Sequence, residues 1–343
     1  MWQRPSDPAP PVAGLRSRHP LAVSVTAAAV AIVSTLAIAE IVGLHQVGRA
    51  FDHVQPVWLI VGVVAQVVSL AAYAVTYRAI VAETTGRRLH RGLGVELVLT
   101  GFGAFGASGG FEFDHRVLQR LGLHARLALR TVLDLGGVEL LSLVWIAFAV
   151  SVLALFTDPS LPGSLIWPWL IAVPVGTAIA VALSRLRRPE DVKARRLPLR
   201  EAAESLADVL ALARHPVRAR ASWGGVMVYW AADMATLYVA VRTFGLRPPW
   251  ESLVLAYATG YLLSRRSLPL GGAGFVQVLM TFSLYWVDEP LAPSLAAVVV
   301  YRAMTVLLAR LPALAARIRM DIDAALDNPF EPDDTNAVQP NDA

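Results

Sequence analysis

The chain has 343 residues, 56% hydrophobic and only 16% charged, where a soluble domain carries about 25% charged residues. With a mean hydropathy of +0.54 it reads as a polytopic membrane protein. The absence of cysteine excludes disulfides, thiolate metal sites and cysteine catalysis, and the net charge of +4 lies in basic clusters between apolar runs, not in a nucleic-acid-binding patch.

Residues 1–20 are Pro-rich, with Arg4, Arg16 and Arg18, and are expected to form a disordered cytoplasmic tail. A first membrane repeat is predicted over 21–156. Leu21 to Leu44 is long enough to span; Ala37-Ile38-Ala39 imitates a signal-peptidase site, but the apolar run exceeds a signal-peptide core, so an uncleaved helix is expected. After an external loop at 45–54, Val57 to Ala82 is the second span and returns to Arg87, Arg88 and Arg91. Leu93 to Gly110 is short and glycine-heavy, and opens into an amphipathic stretch carrying Arg116, Arg120, Arg126 and Arg130. Both ends of this first hairpin are therefore placed in the cytoplasm. Thr131 to Phe156 then crosses outward.

A second membrane repeat is predicted over 165–315. Leu165 to Leu183 returns inward to a cytoplasmic linker, 185–220, with ten Lys/Arg against five acids. That linker has almost no aromatic residues, so it suits anionic lipid better than nucleic acid. Ser222 to Phe244 crosses out. The next stretch, YLLSRRSLPLGGAGFVQ (261–277), joins two apolar arms of about 12 residues each. A helix of that length rises roughly 18 Å against a hydrocarbon core of about 30 Å, so neither arm crosses alone. A re-entrant hairpin from the outside is predicted, with non-helical backbone at its Pro269–Gly274 tip lining a polar cavity. Pro293 to Leu311 is the last span, and 316–343 is expected to be a disordered cytoplasmic tail. The predicted fold is all-α, with about six transmembrane helices and two opposed re-entrant hairpins. Its two halves are of opposite orientation, the pattern of transporter-like inverted repeats.

The PLGGAGFVQ run (269–277) resembles the Pro-Gly-Gly-x-Gly-x-x-Glu signature of the lysylphosphatidylglycerol synthase transmembrane-domain family, flippase-like integral membrane proteins. Gly109, Gly110 and Arg116 resemble that family's first glycine motif, and VVVYRAM (298–304) its late arginine helix. The similarity covers roughly 55 to 315. It implies six or more spans with paired re-entrant segments and lipid movement across the bacterial inner membrane; the basic loops place both termini in the cytoplasm. The chain departs from the pattern at Gln277, where Glu is usual, at Leu270 between the proline and the glycines, and at Leu135, where Arg often follows the aspartate. The catalytic aminoacyl-transferase part carried by some members is missing after the last span, so no enzyme activity is expected.

Candidate substrate-binding residues follow. Arg265, Arg266 and Arg302 would hold a lipid phosphate, since an intramembrane arginine is costly unless it meets a partner or an anion. Shallow snorkelling is the plain alternative for the first two. Asp233 would balance charge, by pairing with Arg302 or with the hairpin tips. Gly109, Gly110, Gly271, Gly272 and Gly274 would offer backbone donors or close packing. Arg116 and Gln277 complete the set. Asp134, Glu139, Glu40 and Arg78 rank lower, and Glu112 and Asp114 read as a solvated face. No metal site, cofactor fingerprint or P-loop is present. Gly106-Ala107-Ser108-Gly109 imitates an intramembrane serine protease motif, but no histidine lies within a later span to serve as its base. The remaining alternatives are a scaffold for an envelope-lipid enzyme and a small-molecule permease; homo-oligomerisation stays open.

Overall fold

The computed structural model describes residues 20–108, 110–158, 160–185, 197–214, 219–262, 275–319 and 330. Among these residues the fold is all-helical, with twelve α-helices and one short 3-10 turn. They are α1 (Pro20–Val42), α2 (Leu44–Ala50), α3 (Pro56–Thr85), α4 (Arg91–Ser108), α5 (Gly110–Arg120), α6 (Ala125–Thr157), α7 (Gly163–Arg185), α8 (Leu197–Arg214), α9 (Arg220–Thr243), α10 (Trp250–Leu262), α11 (Phe275–Tyr285) and α12 (Leu291–Arg319). Five of them, within α3, α6, α7, α9 and α12, are long and apolar enough to cross a membrane. The first predicted span is the helix α1. The external loop expected at 45–54 is instead helical over most of its length, as α2 and the turn Phe51–His53.

Local signals set the helix limits. Pro56 opens α3 at a position where its missing N–H costs nothing, and Gly86 ends it with φ of 72°, a left-handed turn that favours glycine. The His124 ring caps α6 by accepting from the Arg126 N–H at 3.4 Å. Apolar side chains on α3 (Val57, Ile60, Val64, Val67) and α7 (Ile171, Val175, Ile179) stand exposed, as they must on a surface that faces lipid. Trp250 and Trp286 stand exposed together at one end, the place of an interfacial aromatic belt.

Two ends of the bundle can be distinguished. At the linker end lie 85–90, 121–124 and α8; at the opposite end lie 51–55, 158–162, 244–249 and 286–290. Helices α3 and α9 run antiparallel and make the most extensive contact in the molecule. The approach is close: a Cβ on Gly225 would fall 2.4 Å from Thr76 Oγ1 and 3.0 Å from the Ala72 carbonyl oxygen. Gly225→Ala is therefore expected to push α9 off α3 and cost about 1–3 kcal/mol, read as a lowered melting temperature in detergent. An unchanged melt would contradict the close approach.

Two pairs of shorter helices, α4 with α5 and α10 with α11, complete the bundle. α4 starts at the linker end, and α5 packs on α4 and α6 and leads back to α6. α10 starts at the opposite end, where Thr157 Oγ1 donates to Glu251 Oε1 at 3.1 Å. α11 packs on α10 and returns to that end, where the Arg247 N–H donates to Glu289. The tip between α10 and α11, with Arg265, Arg266, Gly271, Gly272 and Gly274, lies outside the described residues, as does Gly109.

The linker predicted at 185–220 contains α8, which packs on α6 and α7. In the tail expected to be disordered, Phe330 is buried, pairs in an antiparallel bridge with Leu89, and lies under the Arg87 guanidinium, 3.8 Å from the ring centroid. Truncating a buried phenylalanine costs about 3–5 kcal/mol. Phe330→Ala is expected to release this contact, seen as faster proteolysis between 320 and 340. Equal cleavage in both proteins would count against it.

Candidate functional site

Asp233 lies midway along α9 and is 3% exposed. Its Oδ2 accepts from the Tyr257 hydroxyl of α10 at 2.5 Å and from the Tyr301 hydroxyl of α12 at 2.8 Å. The Gln66 side chain of α3 also hydrogen-bonds to it, and Gln66 Oε1 accepts from Thr236 at 3.4 Å. Four helices thus converge on one carboxylate. Such convergence lets a buried carboxylate exist: every lone pair withdrawn from water needs a donor.

Arg302 follows Tyr301 on α12 and acts on Asp233 as the opposite charge. The expected pairing takes a different form from a direct clamp. Neutral donors (Tyr257, Tyr301 and Gln66) make the hydrogen bonds to the carboxylate, and Arg302 balances its charge electrostatically. Arg302 is half-buried, and its Nε is buried with no hydrogen-bond partner among the described residues. A guanidinium carries five donors in a planar fork suited to phosphate or carboxylate.

A second buried carboxylate, Glu139 on α6, accepts from the Tyr73 hydroxyl at 3.2 Å. Beside it Trp230 Nε1 donates to Ser142 Oγ at 2.9 Å and to the Glu139 carbonyl at 3.2 Å. Between Glu139 and Asp233 runs a chain of aromatic rings. Tyr73 lies 4.9 Å from Tyr229, Tyr229 4.6 Å from Trp230, Trp230 4.9 Å from Tyr261, and Tyr257 stacks on Tyr261 at 5.4 Å. The hydroxyls of Tyr229 and Tyr261 meet at 2.8 Å. This band packs the bundle centre with apolar ring faces that carry polar tips.

Toward the opposite end, the hydroxyls of Ser252 on α10, Thr281 and Ser283 on α11, and Ser294 on α12 are buried without a hydrogen-bond partner among the described residues. Buried polar atoms are rarely left so, and four of them on three adjoining helices mark a polar stretch between that end and Asp233.

Of the residues chosen from sequence, the structure brings together Asp233 and Arg302. Gln277 is buried near the start of α11. Arg116 stands exposed on α5 and is not among the groups acting on Asp233. Gly110 begins α5, with its surroundings outside the described residues, as are those of Ser108. Sequence reasoning missed Tyr257, Tyr301, Gln66 and the Tyr73–Glu139 pair. One signal was available: Tyr73/Tyr77 and Tyr257/Tyr261 are spaced i, i+4 within apolar helices, where each phenol needs a polar partner. Among the described residues no group of three or more His, Asp or Glu is arranged to hold a metal.

The model of the lysylphosphatidylglycerol synthase TM region family matches residues 21–313, almost the whole helical part of the chain. No curated protein matches the chain.

Proposed function

Since the chain belongs to the lysylphosphatidylglycerol synthase transmembrane-region family, we propose that it moves a lipid with an anionic phospho- or glyco-headgroup across the bilayer through the site around Arg302 and Asp233. The observation that carries this reading is Arg302, half-buried and charge-balanced by Asp233, whose buried Nε has no hydrogen-bond partner among the described residues. A purely structural arginine would spend its donors on the protein. A transported anion needs a cation that is available but not bare.

The packing supports two inverted halves. α3 packs on α9, α6 meets both α9 and α10, and correspondingly α12 meets both α3 and α4. α5 packs on α6 as α11 packs on α12. Exchanging α3–α6 for α9–α12 maps this pattern onto itself. In this reading the pairs α4/α5 and α10/α11 are opposed re-entrant hairpins, with Arg265, Arg266 and the glycines 271, 272 and 274 at one tip and Gly109 at the other. Their meeting at mid-depth is the arrangement that alternating access requires. The protein would sit in the inner membrane of a bacterium, termini inward, without enzymatic chemistry of its own.

The test is reconstitution of the full chain in vesicles with headgroup-labelled anionic and zwitterionic lipids. Faster loss of leaflet asymmetry for the anionic lipid than in empty vesicles is expected. Equal rates, with and without ion gradients, would remove this reading in favour of a scaffold role through the segment 185–220.

A further inference from the structure

A second polar site lies away from Asp233, at the linker end, in a cavity of about 390 Å³ between α3, α6, α8 and α9. Its ionisable lining is Glu83 from α3, Arg130 and Asp134 from α6, and Asp208 from α8. Arg130 is committed to Asp208: its Nε donates to Oδ2 at 2.6 Å, and its terminal nitrogen pairs with the same oxygen. Ala219, just before α9, adds to the wall, and Ser222 of α9 donates its hydroxyl to Glu83 Oε1 at 2.8 Å. From α5, Phe111 closes on Gly136, two residues beyond Asp134 on α6.

Asp134 is 3% exposed. The Ser205 hydroxyl hydrogen-bonds to its carboxylate, the Thr84 hydroxyl donates to the Ile80 carbonyl at 2.8 Å, and Oδ1 has no partner among the described residues. Among the described residues three carboxylates face one guanidinium, and that guanidinium is paired with Asp208. A buried carboxylate oxygen without a donor is costly unless a positive charge meets it.

We propose that this cavity binds a single monovalent cation, a proton or Na⁺, on Asp134 Oδ1. A divalent ion does not fit: among the described residues no three acidic or His side chains are arranged to hold one, and one unpaired carboxylate oxygen balances one positive charge, not two. Proton and Na⁺ share the required chemistry, one positive charge delivered to one carboxylate oxygen. Because Asp208 and Ser205 come from α8, occupancy of the site also bears on how α8 is held against α6. That gives the segment between the two halves a means of sensing ions.

The full chain in detergent, treated with dicyclohexylcarbodiimide, tests this directly, since the reagent modifies protonated carboxyls in apolar surroundings. Modification of the Asp134 peptide, followed by mass spectrometry, is expected to fall at least tenfold between pH 5 and pH 9. If Na⁺ is also a ligand, modification at fixed pH falls when choline chloride is replaced by NaCl. Asp134→Asn is expected to lose the modification, and its melting temperature should no longer respond to pH or Na⁺ through this site. Absence of modification at Asp134, or modification indifferent to both pH and Na⁺, would overturn the proposal. The wild-type labelling decides the matter even if the variant fails to fold. No lipid movement is measured, so the outcome is independent of the transport reading.

Discussion

Asp233→Ala is expected to leave little folded protein in detergent extracts. The substitution removes the shared acceptor of two buried tyrosine hydroxyls and the counter-charge of Arg302 in one step. Breaking a buried charged network by deleting one partner costs about 3–5 kcal/mol, a large part of a protein's net stability. Asp233→Asn keeps an acceptor for the phenols and should lose less, about 1–3 kcal/mol. Size-exclusion profiles and thermal melts of the purified variants check the order: wild type above Asn, Asn above Ala. If Asp233→Ala melts like the wild type, the carboxylate is not the keystone of α3, α9, α10 and α12.

Arg302→Gln should behave in the opposite way. Its Nε has no hydrogen-bond partner among the described residues, and Asp233 keeps its hydrogen bonds from Tyr257, Tyr301 and Gln66 when the guanidinium is gone. Folding is therefore expected to survive at a smaller cost than in Asp233→Ala, because the carboxylate loses its counter-charge but keeps its hydrogen-bond donors. Translocation of an anionic lipid is not: loss of a desolvated charged contact is worth about 2–5 kcal/mol, roughly thirtyfold or more in rate. Arg302→Lys restores the charge without the planar fork and should be intermediate. A folded Arg302→Gln protein that moves lipid at the wild-type rate would show that this arginine serves structure alone. The contrast between positions 233 and 302 separates fold from function within a single site.

The spans were legible because burial in lipid demands long apolar helices, and α3, α6, α7, α9 and α12 carry that signal in composition alone. The short arms α10 and α11 were equally legible, because Pro269 and the glycines interrupt a run too brief to cross. Asp233 and Arg302 were found because an ionisable residue among apolar neighbours is conspicuous. Their relation was not. Hydrogen bonds from Tyr257 and Tyr301 depend on the rotation of three helices about their axes, and an all-apolar helix has no amphipathic pattern to report that rotation. The acidic cavity was hidden for a different reason. Asp134 and Asp208 are 74 positions apart and meet only because α8, within a segment that composition marks merely as basic, folds back onto α6. Phe330 was likewise hidden in a polar tail, where one aromatic residue gives no periodicity.

Cysteine accessibility most directly tests the claim that one central site is served by hairpins entering from opposite sides. The natural absence of cysteine gives a clean background for Ser108→Cys and Ser267→Cys, with Gly92→Cys and Ser164→Cys marking the two ends. In intact cells Ser164→Cys is expected to react only from outside and Gly92→Cys only from inside. Both hairpin positions should react with small polar reagents but resist bulky ones, and anionic lipid analogues should slow them. Free reaction of Ser108→Cys and Ser267→Cys with bulky reagents would make both segments ordinary surface loops and contradict a shared midplane site.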